Sequence, residues 1–72
     1  MNLAAGTTLG AALAQLPLDP LENRILLCHA LGITRVALIT QSGRTLNADE
    51  AARLSALAAR RVAGEPIAYI VG

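Results

Sequence analysis

The 72-residue chain has no lysine, tryptophan or phenylalanine, and only one each of tyrosine, histidine and cysteine. Each shortage excludes something. A lone Cys28 cannot close an internal disulfide, and with His29 as the only histidine there is no cluster of the kind that holds structural zinc. Tyr69 alone cannot build the stacking platforms that single-strand and RNA-binding sheets require. Only 15% of residues are charged and the net charge is +1, far from the balance of a chain that lives on polyanions. Long apolar runs are missing as well. Gly6, Thr7, Thr8, Gly10 and Gln15 interrupt the uncharged first 18 residues, leaving nothing of about 20 apolar residues to span a bilayer. Ala12-Leu13-Ala14 imitates a signal peptidase site, but the first basic residue is Arg24, so no basic leader precedes it. A cytoplasmic protein is expected.

What the chain has is alanine and leucine, 15 and 13 residues, within an apolar fraction of 54%. That composition favours helix strongly and offers strands little. The length allows one core, and a domain this short buries only about 60% of the surface its unfolded chain exposes. With no covalent or metal staple in sight, its stability must come from packing. The expected fold is all-α, a compact bundle of about five short helices forming a single domain over residues 1–72, with residues 1–6 flexible.

Local signals place the helices. Thr8 can cap a first helix that carries Leu9, Leu13 and Leu16 on one stripe and stops at Pro17. Asp19-Pro20-Leu21-Glu22 announces a second by a capping aspartate, a proline at the first helical position and a glutamate three residues after the cap. From Leu21 to Leu31 this segment is apolar nearly all round, so it belongs in the centre, and Gly32 ends it. Thr34 can cap a short third helix, Arg35 to Gln41, with Val36, Leu38 and Ile39 turned inward and Ser42-Gly43 as its end. Asn47-Ala48-Asp49-Glu50 is a second capping box with Leu46 placed to staple onto Ala51. The helix it opens runs to about Ala63 and should bury Ala51, Leu54, Leu57, Ala58 and Val62, with Gly64 as its stop. Ile67, Ile70 and Val71 suit one further turn after Pro66. The abrupt apolar ending Ile70-Val71-Gly72 reads as the edge of an excised piece.

Catalytic chemistry has few candidates. Cys28 and His29 are sequence neighbours and point about 100° apart on a helix, so they cannot pair as nucleophile and base. They read as a small core residue and a surface or boundary one. Glu22 and His29 stand two turns apart, too far for a metal pair. Gly6 and Gly10 lack the strand and lysine of a phosphate loop, and Ser55 lies mid-helix, where an acyl carrier's attachment serine does not sit. Arg53, Arg60 and Arg61, with Arg35 and Arg44, read either as a solvated surface, Asp49 pairing Arg53 at i, i+4, or as a face for an acidic or phosphate-bearing partner. A DNA-reading helix-turn-helix is disfavoured, because the fourth helix opens on Asp49 and Glu50, which phosphates repel.

Several stretches resemble a known family. These are Leu21-Glu22-Asn23-Arg24-Ile25-Leu26-Leu27-Cys28-His29-Ala30-Leu31-Gly32, then Arg35, Leu46 and Glu50, and above all Ala59-Arg60-Arg61-Val62-Ala63-Gly64-Glu65-Pro66-Ile67-Ala68-Tyr69-Ile70-Val71-Gly72. They are similar to the N-terminal domain of the HemK/PrmC methyltransferases. Asn23 and Arg24 depart from the Ala-Glu or Ala-Arg often found there, a departure that bears on a surface contact and not on the fold. The resemblance implies a parent enzyme that moves a methyl group from S-adenosylmethionine to the glutamine of the Gly-Gly-Gln motif in peptide chain release factors. The catalytic work and the cofactor would belong to a following domain. This chain would hold no catalytic, cofactor or metal residues and would help dock the release factor, with no direct nucleic acid or membrane partner. Arg53, Arg60 and Arg61 are the docking candidates, and Glu65, Pro66, Tyr69 and Gly72 the interdomain joint. A free-standing helical adaptor is the alternative.

Overall fold

The computed structural model describes residues 3–72, and every statement on its structure concerns these. Five helices follow one another: α1 (Leu9–Gln15), α2 (Pro20–Leu31), α3 (Arg35–Thr40), α4 (Ala48–Val62) and α5 (Ile67–Val71). The starts of α1 to α4 follow from side-chain caps. The hydroxyls of Thr8 and Thr34 accept from the backbone N–H of Ala11 and Ala37, both at 3.1 Å, and Asp19 accepts from Glu22 at 2.9 Å. Asn47 and Glu50 form the reciprocal box, at 2.8 and 3.0 Å. Gly32 closes α2 in the left-handed region at φ 67°, which costs a glycine nothing.

Helix α2 lies in the middle, packed on α1, α3, α4 and α5, with its largest contact on α4. Leu26 and Leu27 of α2 and Leu54 of α4 are fully buried, joined by Leu9, Ala12, Leu16, Ala30, Leu38, Leu46, Ala51, Ala58 and Ile70. Leu57 packs on this core only half-buried.

Three sequence expectations are corrected. Val62 is exposed, because it sits in the last turn of α4. In α3 only Leu38 is buried, while Val36 and Ile39 are 69% and 74% exposed; six residues make less than two turns, too short for a repeating inward stripe. Within the segment expected to be flexible, Leu3 is buried and its N–H donates to the Ser55 hydroxyl at 2.9 Å, while Gly6 donates to the Leu46 carbonyl at 2.8 Å. The first two residues, on which the rest of that expectation falls, lie outside the described residues. Asn23 is buried rather than on the surface. Its Oδ1 accepts from Leu18 N–H at 3.1 Å and its Nδ2 donates to the carbonyls of Leu13 and Leu16 at 3.3 and 3.2 Å. One side chain therefore satisfies the end of α1 and the connector after it.

The N-terminus of α1 is completed from a distance. Leu9 and Gly10 donate their N–H groups to the carbonyls of Arg44 and Ser42 at 2.9 and 3.0 Å, and Leu46 donates to Thr7 at 2.8 Å. Thr8 and Thr45 form an isolated antiparallel bridge there. The all-α bundle stands, with this short clasp added to it.

Candidate functional site

The arginines divide into two groups. Arg61, in the last turn of α4, donates through Nε to Glu22 Oε1 in the first turn of α2 at 2.8 Å. At the other end of the same helix pair, Arg53 Nη1 donates to the carbonyl of Ala30 at 2.8 Å, so the expected Asp49–Arg53 pair gives way to a cap on the end of α2. Arg60 forms a forked pair with Glu65, Nε to Oε1 at 3.2 Å and Nη2 to Oε2. This hydrogen bond and the Glu65 charge hold the Arg60 proton more firmly than usual. Arg44 binds Glu50 at 2.6 Å. The Asn47 backbone N–H, and secondarily Arg44, keep the Glu50 carboxyl below its ordinary value of 4.5.

The docking candidates Arg53, Arg60 and Arg61 are thus engaged within the domain, two of them fastening α2 to α4 and one bracing the turn before Pro66. Among the described residues, the side chains of Arg24 and Arg35 make neither an ion pair nor a hydrogen bond. Both are exposed, and both line the same surface. On one side of them an open cleft of about 320 Å³ is bounded by Leu21, Ile25 and Cys28 of α2. On the other, a cleft of about 610 Å³ is bounded by Leu13, Leu38, Ile39 and Ser42. Leu21, at 51% exposure, and the half-buried Ile25 and Cys28 follow at i, i+4 and i+7, so the apolar circumference of α2 is only partly covered along this stripe. Burial pushes the Cys28 thiol up, against a smaller opposing effect of the Arg35 charge. Cys28 is half-buried beside the core rather than in it, and His29 is exposed. Reading the sequence misses this face because the pairing of each arginine depends on which helix end lies opposite. Uncovered apolar residues on the central helix were the available signal.

The interdomain candidates lie at and beyond the end of α4. Tyr69 is 77% exposed, Pro66 is exposed and caps α5 by its backbone, Glu65 holds Arg60, and Gly72 ends α5. Among the described residues no His, Cys, Asp or Glu group is arranged to hold a metal, and no helix is long and apolar enough to cross a membrane. Among the described residues, the two clefts beside Arg24 and Arg35 are lined by no carboxylate and no strand–loop–helix unit occurs.

Comparison with known proteins fits this architecture. Residues 7–72 match the family model of the PrmC N-terminal domain. The chain is 57% identical over 56 residues to a release factor glutamine methyltransferase of Burkholderia pseudomallei, covering 78% of this chain and 20% of that protein. It is 48% identical over 71 residues to the enzyme of the same name from Bradyrhizobium diazoefficiens, covering 96% and 24%. The chain spans about a fifth to a quarter of the length of these relatives. No solved structure matches. The chain belongs to the PrmC N-terminal domain family.

Proposed function

We propose that this domain is the substrate-holding part of a release factor glutamine methyltransferase and has no catalytic residues of its own. The match over residues 7–72 to a domain whose relatives carry that activity bears the reading. Catalysis, and the S-adenosylmethionine that supplies the methyl group, belong to a second domain of the parent protein. The partners are peptide chain release factors and the catalytic domain. Exposed Tyr69, with Glu65, Pro66 and Gly72, forms the joint to the latter.

The test compares the full-length enzyme with a form lacking residues 1–72, on an intact release factor and on a short Gly-Gly-Gln peptide. Methyl transfer is followed by mass spectrometry. Loss of the domain should raise KM for the protein far more than for the peptide. Equal loss on both would make the domain a scaffold for the catalytic centre, and a full-length protein that never methylates release factor would overturn the reading.

A further inference from the structure

We propose that the face between α2 and α3, with Arg24 and Arg35 at its middle, is the surface that receives the protein substrate, through an apolar segment flanked by carboxylates. The proposal rests on the substrate-holding reading above and narrows it to one face. Three observations converge on it. Helix α2 is apolar nearly all round, yet Leu21 stays 51% exposed and Ile25 half-exposed. Helix α3 turns Ile39 outward at 74% exposure, so apolar side chains line both walls. An apolar surface of this kind on a small domain marks an interaction site when it is rimmed by polar groups.

The third observation is charge. Arg44, Arg53, Arg60 and Arg61 each hold a carboxylate or carbonyl oxygen of the domain, whereas Arg24 and Arg35 hold none among the described residues. Neither cleft is lined by an acidic residue. The face therefore presents two guanidinium forks over apolar ground, complementary to carboxylates beside Leu- or Ile-like side chains. The clefts are open and lined mainly by aliphatic groups, which suits side chains of a folded partner. Nucleic acid suits them poorly, because no aromatic residue lines them for a base to stack on.

The experiment uses the full-length enzyme with Arg24→Glu and Arg35→Glu combined, and separately Ile39→Asp, against intact release factor and the short peptide. Ile39 is exposed, so its substitution tests the face without endangering the core. The protein-to-peptide ratio of kcat/KM should fall about ten-fold or more for the double variant, and further at low salt than at high. Ile39→Asp should lower the ratio with little salt dependence. An unchanged ratio in both variants, in an enzyme that still methylates release factor, would overturn this face and leave the proposed function standing. A wild-type enzyme inactive on release factor would remove both. Equal losses on protein and peptide would assign the face to the catalytic domain. Loss of binding to a single-stranded oligonucleotide, with the ratio unchanged, would assign it to nucleic acid. Either result overturns the proposal.

Discussion

Along α2, the side that meets α4 is closed at both ends, by Arg61 on Glu22 and by Arg53 on the Ala30 carbonyl, over a seam containing Leu26, Leu27 and Leu54. The side that carries Leu21, Ile25 and Cys28 has apolar residues too, but Leu21 stays exposed there, and the side chains of Arg24 and Arg35 beside it bind no oxygen of the domain among the described residues. One helix therefore has a side whose polar and apolar groups are matched internally and a side where neither is. The first holds the fold together, and the second is what the fold presents outward.

The comparison breaks most severely at Leu54. Leu54→Asp would bury an unpaired carboxylate in the seam and cost about 4 kcal/mol or more, close to the whole stability of a domain of this size. A circular dichroism melt should show no cooperative transition, whereas Leu57→Asp, at a half-buried site, should leave a weakened one. Next comes Asn23→Leu. It orphans the carbonyls of Leu13 and Leu16 and the N–H of Leu18, and should cost about 2–3 kcal/mol in urea unfolding. Arg61→Ala and Glu22→Gln should each cost about 1 kcal/mol or less, because the pair is part-exposed, and a double-mutant cycle should show the two losses to be shared rather than additive.

The sign of the pH dependence is set by Glu50. Its folded-state value lies below the ordinary 4.5, so its stabilisation is fully present above 4.5 and lost as the pH falls through the lower, folded value. Glu50→Gln keeps a cap acceptor but not the charge, and should flatten that part of the acid limb of a stability–pH curve. The smallest effect sharpens the comparison from the other side. Val36→Ser and Ile39→Ser should shift stability by no more than about 0.5 kcal/mol, since both are exposed. A loss of 2 kcal/mol at either would mean that α3 packs through them after all.

How much of this was legible in the sequence follows the range of each interaction. Thr8, Asp19, Thr34 and the Asn47–Glu50 box mark the helix starts because each cap acts within three residues, and the central place of α2 follows from its apolar circumference. Three features were hidden. Less than two turns of α3 cannot distinguish a face of Leu38 from one of Val36 and Ile39 by periodicity. Asn23 looks like surface until α1 brings the Leu13 and Leu16 carbonyls to it. The candidate face stayed hidden for the same reason, since Arg61 and Arg24 are the same residue type and only tertiary packing supplies one with a carboxylate.

The clasp between the start of α1 and the segment before α4 has a further consequence for how the chain can change. Its bonds run from backbone to backbone: Gly6 to Leu46, Leu9 to Arg44, Gly10 to Ser42 and Leu46 to Thr7. At the exposed Arg44 and Thr45 nearly any side chain other than proline leaves such bonds intact, so point substitutions there should leave the clasp closed, whereas Gly6, at φ 91°, has no such freedom. A one-residue insertion or deletion there shifts every later donor past its acceptor and strands the two N–H groups at the head of α1. Along the exposed stretch from Ser42 to Thr45 the chain encodes spacing more than chemistry, and tolerance to substitution and intolerance to changes of length occur at the same residues.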